Sequence, residues 1–388
     1  MKDLKKKPGI LKSNILIVLL LLAPILLELI TKNSVITYSV KISAILYAIV
    51  IKQQISQATE SLTFNFGLLL LIASILIASN FLNSVSFQPN IFFNLFWFWY
   101  FRNQLWLRNN FLNSLFFSLK ICGVGSLFVT LTSLLSQETK LTSAGYFVPL
   151  NDLLGLTYRQ QGIFTHPNTY GLFSFLLISL TLVMSKKLSL IWISIGLFGL
   201  LTSGSRTFQI LSSLILVFAL IGRISKASSV LKKFRLDGIR IVYLSVIAYF
   251  MIQISFRDTK FNPDSLTGRL GIWSKSLSAL SDQLFIGLGT DYSSQLVQNG
   301  VLPTNANSVH SLYLDGFLSG GILAGMLLLV LFYSIFQAMK LAGGELLVMF
   351  FLILIAGFTE TMFSMASFGV MNLLFAFAFA SPSREKRV

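Results

Sequence analysis

Apolar runs close to twenty residues long recur along the whole chain, separated by short polar segments. Each run matches the roughly 30 Å hydrocarbon thickness of a bilayer at about 1.5 Å per helical residue. Transmembrane β-strands would alternate apolar and polar positions over about ten residues, and the chain does not. Helices are then the remaining element that satisfies its own backbone inside lipid. The pattern predicts an all-α, polytopic transmembrane helical protein with about twelve spans, at roughly 14–30, 35–51, 62–79, 87–101, 112–135, 168–185, 188–204, 207–222, 239–256, 312–339, 345–359 and 362–380. The fourth is short and aromatic, and an interfacial segment is the alternative there. The basic start followed by an apolar run looks like a signal peptide. That run ends in Glu28-Leu29-Ile30 without a small-x-small cleavage site, so it is read as a retained first span.

Composition agrees with this class. Hydrophobic residues make up 54% of the 388 positions and charged residues 11%, whereas a soluble domain carries about a quarter charged residues. The net charge of +16 would suit a nucleic-acid binder if it were clustered on one surface. It lies instead in the short segments between apolar runs, where it reads as a topology signal and excludes nucleic acid as the expected partner. With the N-terminal lysines Lys2, Lys5, Lys6, Lys7 and Lys12 placed in the cytoplasm, alternation puts twenty basic residues on that side. The opposite side keeps eight: Lys32, Lys140, Arg159, Arg206, Arg257, Lys260, Arg269 and Lys275. This bias favours twelve spans with both termini cytoplasmic. Residues 1–388 then form one integral membrane domain, with residues 257–311 as a periplasmic loop subdomain between spans nine and ten. Two apolar-patterned stretches in that loop, 270–280 and 292–301, read as short helices. Cys122 is the sole cysteine, so neither an intramolecular disulfide nor a cysteine-based metal site is possible.

The charge rule makes the outer face informative, because arginine is disfavoured there. Arg159, Arg206, Arg257 and Arg269 all fall beside membrane boundaries on that side. Arg206 follows a very tight turn, Ser203-Gly204-Ser205, between two apolar runs. Any one of these arginines could simply snorkel to lipid headgroups; four on one face point to an anion. Guanidinium matches phosphate oxygens in a bidentate fork and keeps its charge at every physiological pH. A lipid-linked diphosphate lies at the right depth, and arginines would stabilise its growing charge if it were a leaving group.

Both histidines also fall on the outer side. His310, in Asn305-Ala306-Asn307-Ser308-Val309-His310-Ser311, suits a general base that removes a proton from an attacking hydroxyl. His166 stands where a loop turns into span six, with Pro167-Asn168 marking the helix start. It is either a second polar contact or an interface histidine with no role in chemistry. Asp315, five residues after His310, has three open readings: it orients the imidazole, binds an acceptor sugar, or pairs with an arginine. No paired metal-ligand spacing occurs among the outer acids, Glu360 included, so neither a metal nor another cofactor is expected. Gly320-Gly321 and Gly325 read as positions of close helix packing.

Four segments in order resemble the O-antigen ligase and O-antigen polymerase superfamily of bacterial membrane glycosyltransferases. They are Arg159-x-x-Gly162-x-Phe164 with Pro167-Asn168; Thr202-Ser203-Gly204-Ser205-Arg206; Thr267-Gly268-Arg269 with Trp273 and Gly287-x-Gly289; and His310-Ser311-x-x-Leu314 with Gly320-Gly321-Ile322-x-x-Gly325. The resemblance covers about residues 150–330. It departs at Asp282-Gln283-Leu284, where members often carry a proline. It implies that His310 activates the acceptor hydroxyl and that Arg206 and Arg269 hold an undecaprenyl diphosphate, with Arg159 as a further polar contact. Arg257 joins this set from its charge and position alone. The implied function is O-antigen ligase-like transfer of a glycan from undecaprenyl diphosphate to an acceptor hydroxyl of lipid A-core. That reaction would take place at the periplasmic face of the bacterial inner membrane, in lipopolysaccharide or other envelope polysaccharide biosynthesis. A polymerase of the same superfamily, with a glycan acceptor, is the alternative.

A transporter or flippase without covalent chemistry is the alternative of another class. Against it, the candidate residues sit at the outer boundary, whereas secondary transporters bind near the midplane in broken helices. The topology has a direct check. Reporter fusions at Lys232 and at Asn299 should report opposite sides of the membrane, and agreement between them would overturn both the span order and the shared face of the arginines.

Overall fold

The computed structural model describes residues 39, 42–43, 60–86, 88–103, 105–136, 159–164, 166–184, 189–225, 269–302, 309–342, 344–361 and 370–380. Among these residues the protein is all helical, with no strand. The helices are α1 (Glu60–Leu82), α2 (Asn90–Asn103), α3 (Leu105–Ser136), α4 (Pro167–Met184), α5 (Leu190–Ser203), α6 (Arg206–Ser225), α7 (Arg269–Leu280), α8 (Tyr292–Gln298), α9 (Leu312–Ala342), α10 (Gly344–Ala356) and α11 (Val370–Ala380). Four of them are long and apolar enough to cross a membrane: Phe64–Leu82 of α1, Phe111–Ser133 of α3, α4, and Leu312–Gln337 of α9. The hydropathy reading places these elements to within a few residues. The expected spans at 14–30, 35–51 and 239–256 lie outside the described residues or touch only a few of them, as does Arg257. The aromatic fourth stretch is helical over 14 residues. It buries Ile91, Trp97, Tyr100 and Phe101 against its neighbours α1 and α11.

Helix α4 is the centre of the bundle. Phe175, Leu176, Ile178, Ser179 and Leu180 are fully buried, and together they face every side of the helix. It packs against α3, α5, α6 and α10. Lipid tails are as apolar as leucine, so close packing and polar contacts hold such helices together more than the hydrophobic effect does. Small residues make the close approach possible: a Cβ added at Gly199 of α5 would lie 2.3 Å from the Ser174 hydroxyl of α4. Buried polar pairs add to it. Asn372 of α11 donates to the Asn94 side chain of α2 at 2.9 Å, and Ser334 of α9 donates to Asn65 of α1 at 2.6 Å. Lys120 of α3 lies 4.0 Å from the Phe116 ring and 5.1 Å from the Trp192 ring of α5, so its charge rests on aromatic faces inside the bundle.

Helix α9 is broken, contrary to the reading of Gly320-Gly321 as a simple packing contact. Gly320 (φ −133°) and Gly321 (φ 67°) are both non-helical. A loop from residues 284–290 is inserted at the break. Leu288 N donates to Leu318 O at 2.7 Å, Gly289 N to Ser319 O at 3.1 Å, and Ile322 N to Leu284 O at 2.8 Å. These bonds satisfy backbone groups that the break would otherwise leave bare, which is the condition for irregular backbone at membrane depth. The C-terminal end of α1 holds the loop from the other side. Ser79 donates to Ser319 O at 2.9 Å, Asn83 to Gly287 O at 3.0 Å, and Thr290 N to the Asn80 side chain at 2.7 Å. A small second core of Leu280, Leu288, Tyr292, Leu296, Leu302, Val309 and Leu318 joins α7 and α8 to the first turns of α9.

At Gly321 only glycine fits. Its φ lies in the left-handed region, and an added Cβ would meet the Phe285 carbonyl group at 2.3 Å. Gly321→Ala should therefore destabilise the protein by at least about 2 kcal/mol and speed limited proteolysis within residues 281–302. Wild-type thermal unfolding in detergent would show that the inserted loop does not depend on this break.

Candidate functional site

The ends of several helices meet at one end of the bundle. Helix α5 finishes at Ser203, Gly204 turns the chain in the left-handed conformation (φ 60°), and α6 begins at Arg206. This is the tight turn expected from Ser203-Gly204-Ser205. The segment 159–164 closes over it. Gln160 N donates to Thr202 O at 2.9 Å, and Arg159 Nε donates to Ser203 O at 2.7 Å. Both bonds use carbonyls that a helix C-terminus leaves without partners, and the guanidinium sits at the negative end of the α5 dipole.

Helix α4 begins nearby at Pro167, as expected from Pro167-Asn168. His166 caps it: the backbone N–H of Asn168 donates to Nδ1 of His166 at 3.1 Å, and Thr169 and Tyr170 donate to its carbonyl. The imidazole thus acts as a hydrogen-bond acceptor, a role outside both sequence readings. The protein around it desolvates the ring although the ring is exposed at its rim, and this lowers its pKa. Arg159 lowers it further, Glu360 opposes the shift, and His310 and Arg269 add smaller depressions.

The two sides of the site are joined by one carboxylate. Arg159 Nη2 donates to the Asn168 side-chain oxygen at 2.6 Å. Asn168 Nδ2 donates to both Glu360 oxygens, at 3.2 and 3.3 Å. Arg269 Nη2 pairs with Glu360 Oε1 at 2.9 Å, and Arg269 Nη1 donates to the carbonyl of Thr359. The Arg269 and Glu360 side chains are 15% and 11% exposed, so this pair is largely shielded from water. Thr359 also meets Thr207 of α6, hydroxyl to hydroxyl, at 3.1 Å. The turn after α10 therefore ties α4, α6 and α7 together.

Arg269 and Trp273 lie one helical turn apart on α7 and so share a face. While Arg269 reaches Glu360, Trp273 Nε1 donates to Val309 O at 2.7 Å. On the far side of His310, Leu312 N donates to Gly357 O at 2.7 Å. His310 is thus clamped between α7 and the end of α10. Its own φ is +52°, a conformation rarely adopted by residues other than glycine and often found at functional positions. Burial, and then the Arg269 charge, lower the His310 pKa from 6.5 to about 4. The ring is unprotonated at pH 7 and holds a proton less readily than a free imidazole.

Arg159, His166, Arg269 and His310 therefore come together at one site. Arg206 is the first residue of α6, directly after the turn that the 159–164 segment closes over. Asp315 is buried, and its carboxylate accepts the Tyr292 hydroxyl at 2.6 Å, a contact among none of its expected ones. The sequence reading gave no role to Glu360 or to the Asn168 side chain. A lone acid at the end of an apolar run was the available signal. Among the described residues, no group of three or more His, Cys, Asp and Glu side chains is placed to hold a metal ion.

Residues 173–329 match the family model described as O-Antigen ligase. This segment is an O-antigen ligase family domain. The ligase-family segment contains Arg206, Arg269, His310 and Asp315, while Arg159, His166 and Glu360 reach the site from its two flanks. The resemblance read from the four motifs is the same family. Together with the apolar helices, the match supports a multi-pass bacterial membrane protein of the O-antigen ligase and polymerase type. No curated protein matches the chain.

Arg269 reaches Thr359 and Glu360 with two separate nitrogens of a rigid planar fork, a spacing that the single ammonium of a shorter lysine does not reproduce. Arg269→Lys should lower unfolding stability by about 1.5–3 kcal/mol, the scale of a charged hydrogen bond in a shielded setting. An unchanged Tm would show that the tie to Thr359 and Glu360 contributes nothing to the fold.

Proposed function

We propose that the protein transfers a glycan from undecaprenyl diphosphate to an acceptor hydroxyl at the periplasmic face of the inner membrane. The observation that carries this reading is the meeting of His310 with Arg269 and Arg159 at one end of the bundle, in and beside the ligase-family segment. We take that end to lie on the outer side, from the twelve spans and cytoplasmic termini expected from the basic-residue bias. His310 takes the proton of the acceptor hydroxyl as its oxygen attacks the anomeric carbon. The bond from that carbon to the diphosphate oxygen breaks, and its electron pair leaves with undecaprenyl diphosphate. Attack opposite the leaving group inverts the configuration. Arg269 and Arg206 hold the departing diphosphate, with Arg159 and Arg257 contributing further positive charge. The guanidiniums supply the charge stabilisation, so the reaction needs no metal.

Lipid A-core is the acceptor we assign, which makes the protein a ligase. A growing glycan as acceptor would make it a polymerase with the same chemistry. Asp315, which accepts the Tyr292 hydroxyl, and His166, which lies near Arg159 and Glu360, are further substrate contacts in this reading.

The pKa of His310 makes this reading testable. In the protein the imidazole is held at about 4 by burial and by Arg269, below its ordinary value of about 6.5. A lowered histidine pKa means that the unfolded chain binds the proton more readily. This contribution to stability is therefore present above pH 6.5 and lost as pH falls towards 4. A bound diphosphate offsets the Arg269 charge and raises the His310 pKa. The acid limb of kcat/KM, which reports free enzyme, should lie near pH 4, and that of kcat should lie above it. His310→Ala should lower kcat by at least about a hundredfold with purified lipid-linked donor in detergent and EDTA. Undiminished transfer by that variant would remove the base. Loss caused by EDTA alone would remove the metal-free step.

A further inference from the structure

Two guanidiniums facing one site at headgroup depth raise a selectivity problem. Anionic phospholipids surround such a site in large excess, and each carries a phosphodiester with one negative charge. A lipid-linked diphosphate diester carries two. Arginine forks bind either kind of oxygen, so geometry alone does not separate them. The structure contains a group that does. Glu360 lies between the two arginines, bonded to Arg269 directly at 2.9 Å and to Arg159 through Asn168.

We propose that Glu360 is an internal counter-ion that sets the anion selectivity of the site, holding Arg269 and Arg159 until an anion of more than one charge displaces it. This rests on the reading of the arginines as a diphosphate site. A monoanionic headgroup that displaces the carboxylate trades one negative charge for another. It also leaves Glu360 without its partners in a largely shielded position, which is unfavourable. A diphosphate brings a second charge and oxygens enough for both arginines. Glu360 has a second effect through orientation. The carboxylate and the Thr359 carbonyl fix the two ends of the Arg269 fork, so Glu360 is a positioning residue for the arginine beside His310.

The full-length protein, in nanodiscs of phosphatidylcholine with or without phosphatidylglycerol, tests this with inorganic pyrophosphate as the probe. Glu360→Gln in phosphatidylcholine should bind pyrophosphate about tenfold more tightly than wild type, the scale of one charged hydrogen-bond partner. Phosphatidylglycerol should then weaken binding to the variant by about tenfold more than to wild type, which serves as the control for surface potential. In transfer assays the variant should show a lower donor KM and a lower kcat. Glu360→Asp, which keeps the charge, should retain the wild-type response to anionic lipid. Pyrophosphate binding to Glu360→Gln that is no tighter than wild type, or that phosphatidylglycerol weakens no more than it weakens wild type, overturns the counter-ion role while leaving the diphosphate site standing. Competition by phosphatidylglycerol in Glu360→Asp overturns it as well. A wild-type protein that binds no pyrophosphate in either disc overturns the diphosphate site itself.

Discussion

A charged side chain in a poorly hydrated setting needs a partner, and much of this site follows from that requirement. Glu360 is the partner. It receives Arg269 from α7 and the Asn168 amide from the start of α4, and that amide in turn receives Arg159. The residue just before it, Thr359, accepts Arg269 through its carbonyl and meets Thr207 of α6 through its hydroxyl. Segments as far apart in sequence as 159 and 360 are thus held to one small volume. The imidazole of His310 stands close enough to feel the Arg269 charge, and its backbone is pinned by contacts of the neighbouring residues to Trp273 and Gly357.

The second constraint is backbone satisfaction. A helix that breaks within a membrane bundle exposes carbonyl and amide groups that lipid cannot bond. Helix α9 breaks at Gly320-Gly321, and the loop 284–290 fills the gap with complementary groups while α1 holds the loop from behind. The same docking sets the first turns of α9, just before which His310 stands, and carries α7 with its Arg269 and Trp273. Loop, broken helix and site are mechanically one unit.

The helices were legible because hydropathy has to match bilayer thickness wherever a chain crosses, which is a local property of each run. Ser203-Gly204-Ser205 and Pro167-Asn168 were legible for a similar reason: glycine in a left-handed turn and proline at a first helical position carry their geometry with them. The meeting of Arg159, Arg269 and His310 was not legible, because alternation of basic residues gives an expected side of the membrane and no distances. The glycine pair was read correctly as a place of close approach but not as a break. The residue that approaches is a backbone loop, and loops leave no periodic trace in sequence.

By itself, the sequence determined the all-helical membrane class, the approximate positions of the described helices, the family of the central segment and the residue types that could bind an anion. Those properties depend on neighbours within one or two helical turns. Only the tertiary structure decided that Glu360 and Asn168 join the arginines, that His166 caps α4, that Asp315 serves Tyr292, and that α9 opens to take a loop. Each of these is a contact between segments distant along the chain. Hydrogen-bond geometry selects such partners, and a polar side chain in sequence shows only that a partner is needed, not which one supplies it.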